Sequence, residues 1–117
     1  MLWNDLKTLC RTPGVSGREG GIREVLRSMI APLADEVRVD RLGNLIAVRR
    51  GNPGGKRLMF CAHMDEIGFL VTFIEDSGMI RIAPVGGISF AAAAFSEVVS
   101  ERGVAGVLVP DSGAKEP

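Results

Sequence analysis

His63 is the only histidine in this 117-residue chain, and it stands in Ala62-His63-Met64-Asp65-Glu66-Ile67-Gly68. An imidazole followed two residues later by a carboxylate is a pairing that metal-bound histidines use. The carboxylate takes the N–H of one ring nitrogen and fixes tautomer and orientation, while the other nitrogen faces the cation. The competing reading is a strand-end histidine hydrogen-bonded to a backbone carbonyl, and the spacing does not separate the two. A catalytic zinc needs about three protein ligands and an open position. One histidine therefore points to a metal site whose other ligands lie elsewhere. Glu66 reads as a solvated loop glutamate. Cys61 shares the strand parity of His63, but a thiol there is more simply a small buried hydrophobe. The sequence has no CxxC, HExxH or GxSxG, so dithiol, zincin and nucleophile-elbow chemistry are excluded.

The elements that must position His63 follow from periodicity. Leu2, Leu6 and Leu9 recur at helical spacing, and Pro13-Gly14 stops that first helix. Ser16-Gly17-Arg18-Glu19 has the form of a capping box and predicts a second helix beginning at Ser16. Ile22, Val25, Leu26, Met29, Ile30 and Leu33 supply its buried stripe. The glycines of Gly14-Val15-Ser16-Gly17 read as a tight turn with a serine cap rather than as an anion-binding loop. After Pro32 the period becomes two. Val37 and Val39 alternate with charged residues, and Asp40-Arg41-Leu42-Gly43 turns the chain into a strand over 44–49. A loop at 51–55 leads to an apolar run over 57–62, read as the buried strand that carries His63. Strands over 68–75 and 79–84 flank Asp76-Ser77-Gly78 as a hairpin. Past Gly86-Gly87 a small hairpin is expected, pairing 97–100 with 104–109, and residues 110–117 show no pattern. That last hairpin reads as the start of a second unit.

The bulk properties narrow the class. Hydrophobic residues at 46% with 24% charged residues describe a globular chain. Lys plus Arg and Asp plus Glu both number 14, a formal net charge of zero, which argues for no nucleic acid and no membrane as partner. The N-terminal residues lack signal-peptide character, and no apolar run approaches the ~20 residues that span a bilayer. Cys10 and Cys61 read as reduced core thiols rather than a disulfide framework. The expected location is cytoplasmic.

Four segments in order resemble one family. Pro13-Gly14-Val15-Ser16-Gly17, the run from Glu36 to Ala47 around Arg41-Leu42-Gly43-Asn44, Ala62-His63-Met64-Asp65-Glu66-Ile67-Gly68-Phe69, and Pro84-Val85-Gly86-Gly87 resemble the N-terminal region of the tetrahedral (glutamyl or deblocking) aminopeptidases, some of which carry an endoglucanase label. The resemblance is strongest over residues 1–87. Beyond it, Ile88-Ser89-Phe90 and alanines stand where the family usually shows a tryptophan, a proline and Gly-Gln, although Gly103-Val104-Ala105-Gly106-Val107 still resembles the first hairpin of the family's inserted barrel. A carboxypeptidase- or deacetylase-type metallopeptidase, which also uses His-x-Asp, fits these segments less well.

The resemblance implies an α/β chain: residues 1–87 as the N-terminal part of a three-layer α/β/α metallopeptidase domain, and 88–117 as the incomplete start of an inserted β-barrel that serves in assembly. It implies metal-dependent removal of N-terminal residues from peptides, with two divalent ions, zinc or cobalt, in the parent family. His63 would be a metal ligand and Asp65 the catalytic-site residue that orients it. A peptide substrate and a homo-oligomer in full-length form are the implied partners. The family's bridging aspartate, glutamate base and remaining ligands lie in later segments, so the 117-residue chain is expected to be inactive alone. The alternative expectation is a non-catalytic assembly or binding module derived from the same family.

Overall fold

The computed structural model describes residues 2–111. The elements are α1 (Leu2–Arg11), α2 (Gly20–Ile30), a 3-10 turn (Ala31–Leu33), β1 (Glu36–Val39), β2 (Leu45–Val48), β3 (Gly68–Ile74), β4 (Ile80–Val85), α3 (Phe90–Ala93), β5 (Glu97–Val99) and β6 (Ala105–Val107). Helices and strands are mixed, as expected for an α/β chain, and they divide into two compact units, Met1–Glu66 and Ile67–Pro117.

In the first unit the predicted stripe on α2 is observed. Ile22 is buried at 4% exposure, and Val25, Leu26, Met29 and Ile30 are half-buried. Gly14 is the other buried residue among those described. A Cβ placed on it would lie 2.7 Å from Ile22 Cγ2, closer than non-bonded carbons approach. Glycine at position 14 thus lets the turn after α1 seat directly on α2. The helix itself begins later than its sequence suggests. Glu19 is the N-cap and makes no side-chain cap bond, so Ser16 does not close a capping box. Gly17 takes φ +84°, which swings the chain between Ser16 and Glu19 and separates the hydroxyl from the first helical amides. The Glu19 carboxylate instead accepts the Gly17 N–H at 2.6 Å.

β1 and β2 pair antiparallel from Glu36↔Val48 to Val39↔Leu45. Their turn is held by Asp40, whose carboxylate accepts the N–H groups of Leu42 and Asn44, each at 2.9 Å, and the Asn44 side-chain amide at 2.8 Å. Those bonds, the Asn44 side chain foremost, hold the Asp40 carboxyl below its ordinary range. Gly43 completes the turn at φ +89°, beside the Arg23 guanidinium of α2.

The strand expected over 57–62 is not formed. Leu58, Met59 and Phe60 are 80%, 86% and 93% exposed, and no described strand pairs with them. An apolar run becomes a strand only when a neighbouring ladder takes its backbone groups. The thiols of Cys10 and Cys61 are also exposed rather than in a core.

In the second unit β3 and β4 form the expected hairpin from Gly68↔Val85 to Ile74↔Ile80, with a register shift between Val71 and Phe73. β5 and β6 pair from Glu97↔Val107 to Val99↔Ala105, as the sequence suggests, and Ser89 caps α3 by accepting the Ala92 N–H. The patternless segment expected over 110–117 lies, from residue 112, outside the described residues. No helix among the described residues is long and apolar enough to cross a membrane.

The two left-handed glycines of the first unit should respond differently to alanine. At Gly17 a Cβ meets nothing within 4 Å, so Gly17→Ala should lose only the ~1–2 kcal/mol of the backbone conformation. At Gly43 a Cβ would sit 2.9 Å from Arg23 Nη2, so Gly43→Ala should destabilise by more, because the guanidinium must also move. Urea unfolding of the two variants checks the order.

Candidate functional site

His63 lies on an irregular segment with its side chain 86% exposed, so no strand fixes its position. Local bonds do. Nδ1 of the ring is 3.0 Å from the Asp65 carbonyl oxygen and 3.1 Å from Asp65 Oδ1. A carbonyl oxygen, like an ionised carboxylate, can only accept. Nδ1 therefore carries the proton, and in the neutral ring Nε2 is left with a free lone pair. That is the arrangement a metal-donor imidazole requires.

Asp65 is held in its turn. Its second oxygen, Oδ2, accepts the hydroxyl of Ser16. The Ser16 hydrogen bond is the main cause of an Asp65 carboxyl held below its ordinary value. The Asp65 backbone amide and the His63 ring act in the same direction, against the opposing effect of desolvation.

The backbone around the pair is docked on the turn after α1. Glu66 N–H donates to the Gly14 carbonyl at 2.9 Å, Gly14 N–H donates to Glu66 Oε1 at 3.0 Å, and Val15 and Glu66 form a parallel bridge. Glu66 is an exposed loop glutamate, as its sequence context suggests, and its side chain also clamps the Gly14 amide.

A cleft of about 180 Å³ opens beside the ring, lined by Glu19, Leu42, Gly43, Asn44, Ala62, His63, Met64 and Asp65. The turn after β1 and the N-cap of α2 form its other walls. Glu19 presents a carboxylate lowered from its ordinary range, first by the Gly17 amide and also by Arg23, with the nearby Asp65 charge opposing. Its Oε2 is 3.7 Å from Arg23 Nη2. The site therefore brings together His63 and Asp65, which the sequence singles out, with Ser16 and Glu19, which it assigns to a helix cap. The Asp65 partnership of Ser16 spans 49 residues, and nothing in local spacing announces it.

As a metal site the set is incomplete. No group of three or more His, Cys, Asp and Glu among the described residues could hold an ion. Both Asp65 oxygens are engaged by Ser16 and His63. The chain fits one coordination position, not a closed cation site.

Comparison with known proteins adds the lineage. The profile of the M42 glutamyl aminopeptidase family matches residues 43–110. A lysyl aminopeptidase of Pyrococcus furiosus is 39% identical over 115 residues, covering 92% of this chain and 33% of the relative. Among solved structures, an endoglucanase from Thermotoga maritima superposes with a TM-score of 0.79 at 43% identity, covering 87% of this chain and 32% of that one. The TET1 peptidase of Pyrococcus horikoshii, which can assemble into a tetrahedron or a large octahedral shell, gives a TM-score of 0.77 at 37% identity, covering 99% of this chain and 36% of that one. The chain spans between 22% and 33% of the length of the curated relatives it matches.

The lowered Asp65 carboxyl sets an acid limit. Its folded value lies below the ordinary 3.8, so the stability it contributes is complete above that value and is lost as pH falls through the lowered one. An NMR titration should place the Asp65 midpoint below the ordinary value. Asp65→Asn should remove the acid dependence of the His63 segment.

Proposed function

Since this chain belongs to the M42 glutamyl aminopeptidase family, we propose that it forms part of a metal-dependent aminopeptidase in which His63 supplies one ligand nitrogen and Asp65 orients it. The observation that supports this reading is the pair of acceptors facing Nδ1. The backbone and side-chain oxygens of Asp65 can only accept from Nδ1, so in the neutral ring Nε2 keeps its lone pair. A divalent cation pair, if held by the family's full ligand set, would supply Lewis acidity and an activated water for peptide hydrolysis. Within this chain, His63 offers a lone pair, Asp65 holds the ring and its proton, and the cleft beside them gives the N-terminal end of a peptide a place of approach. We assign no general base to this chain, which would then not turn over substrate alone.

The family relation and the assembling TET1 neighbour support a homo-oligomer working on peptides for the longer protein, and we propose the cytoplasm as its location from the sequence reading. The second reading is a non-catalytic assembly module. Leu58, Met59 and Phe60 form a contiguous apolar stretch left almost fully exposed, a surface that either further segments of a longer protein or a separate partner would cover.

Hydrolysis of aminoacyl-4-nitroanilides separates the two. A polypeptide of the relatives' length containing this segment should cleave with zinc or cobalt added. Asp65→Ala should lower its activity by about 10–100-fold, as loss of a ligand's orienting partner does, and His63→Ala at least as much. The 117-residue chain alone should show no turnover. Turnover by the 117-residue chain that His63→Ala abolishes would contradict the division of the site. Full activity of His63→Ala in the longer protein would remove His63 from the metal site, and no turnover by the longer protein with either metal would leave only the assembly reading.

A further inference from the structure

We propose that Ser16 is a positioning residue for the metal-donor imidazole: its hydroxyl locks the Asp65 carboxylate in the rotamer that keeps the His63 proton on Nδ1. The two Asp65 oxygens have separate tasks. Oδ2 accepts the Ser16 hydroxyl, and Oδ1 lies 3.1 Å from His63 Nδ1. A carboxylate bonded at one oxygen only can swing about its side-chain torsions; one bonded at both is fixed in plane and direction.

Among the described residues little else holds the segment. Residues 57–63 form no strand and are exposed, so the ring is not aimed by a sheet. What fixes the backbone nearby is the turn after α1, through the Gly14–Glu66 pair of bonds and the Val15–Glu66 bridge. Ser16 is the next residue of that turn, and it extends the docking from the backbone to the functional side chain. The turn is in turn seated on α2 by the glycine-only contact of Gly14 with Ile22. A continuous path thus runs from the buried face of α2, through the turn and Ser16, to Asp65 and the imidazole. The alternative use for Ser16, capping α2, is not taken up, since that helix has Glu19 at its N-cap and no side-chain cap bond.

This inference deepens the reading of His63 as a ligand and rests on it for its purpose. Its test needs no metal, so the two can fail separately. The single histidine makes the chain its own reporter. Two-bond proton–nitrogen correlation spectra of the ¹⁵N-labelled chain, in alkaline buffer where imidazoles are neutral, give the ratio of the Nδ1–H to the Nε2–H tautomer. The parent chain should be mainly Nδ1–H. Ser16→Ala should lower that ratio about fivefold, the effect of one modest hydrogen bond, while the Gly14 and Glu66 amides keep their shifts. Ser16→Thr should restore the ratio, and Ser16→Val, which has the shape of threonine without its hydroxyl, should not. An unchanged ratio in Ser16→Ala with those amides intact would overturn the inference. If Ser16→Ala disturbs the amides, the threonine and valine variants decide: equal ratios in the two overturn it, and a ratio kept only by threonine upholds it.

Discussion

Where the proton of His63 sits governs everything this site can do. A ring nitrogen facing a carbonyl and a carboxylate has only acceptors before it, so it must donate, and in the neutral ring the opposite nitrogen keeps the lone pair that the proposed ligand role uses. Exchange the tautomer and the outward nitrogen carries hydrogen, leaving no lone pair for a metal. In the proposed site Asp65 acts without touching substrate, by making one of two otherwise similar ring states the stable one. Ser16 and the bonds of the turn matter to the extent that they preserve this choice.

The fold supports that choice in an economical order. α2 offers an apolar stripe with Ile22 at its most buried point, and glycine at 14 allows the preceding turn to lie against it. The turn then supplies backbone groups to Glu66 and a hydroxyl to Asp65. On the far side, the Asp40–Asn44 turn is tightened by a carboxylate accepting three N–H groups, and it brings Gly43 and Asn44 to the rim of the cleft. Arg23 connects the two walls: it is paired with Glu19 and lies against the Cβ-free face of Gly43. A side chain at 43 would push that guanidinium away, which is why the left-handed turn and the close packing there call for the same residue.

Much of this was legible in the sequence, for reasons that differ by element. The α2 stripe follows a helical period, and the three hairpins announce themselves through alternation and turn glycines at 43, 78 and 103, each observed at positive φ. The His63–Asp65 pairing was visible because its spacing is local. Among the features that escaped, two show why. The apolar run over 57–62 has the composition of a strand, but a strand also requires a neighbour, and none of the described strands pairs with it. Ser16 followed by Glu19 has the spelling of a capping box, yet Gly17 redirects the backbone and the hydroxyl finds a partner 49 positions away. Contacts set by tertiary approach leave no trace in local pattern. The family resemblance carried what the residues could not, and the M42 profile and the TET1 superposition agree with it.

In the proposed site Nε2 of His63, and not Nδ1, is the nitrogen offered to a cation. Zinc titrated into the ¹⁵N-labelled chain reads this directly from its one imidazole. The expected result is a shift confined to Nε2, with Nδ1 keeping its proton and its contact with Asp65. Metal-induced displacement of the Nδ1 resonance, with loss of that proton, would contradict it.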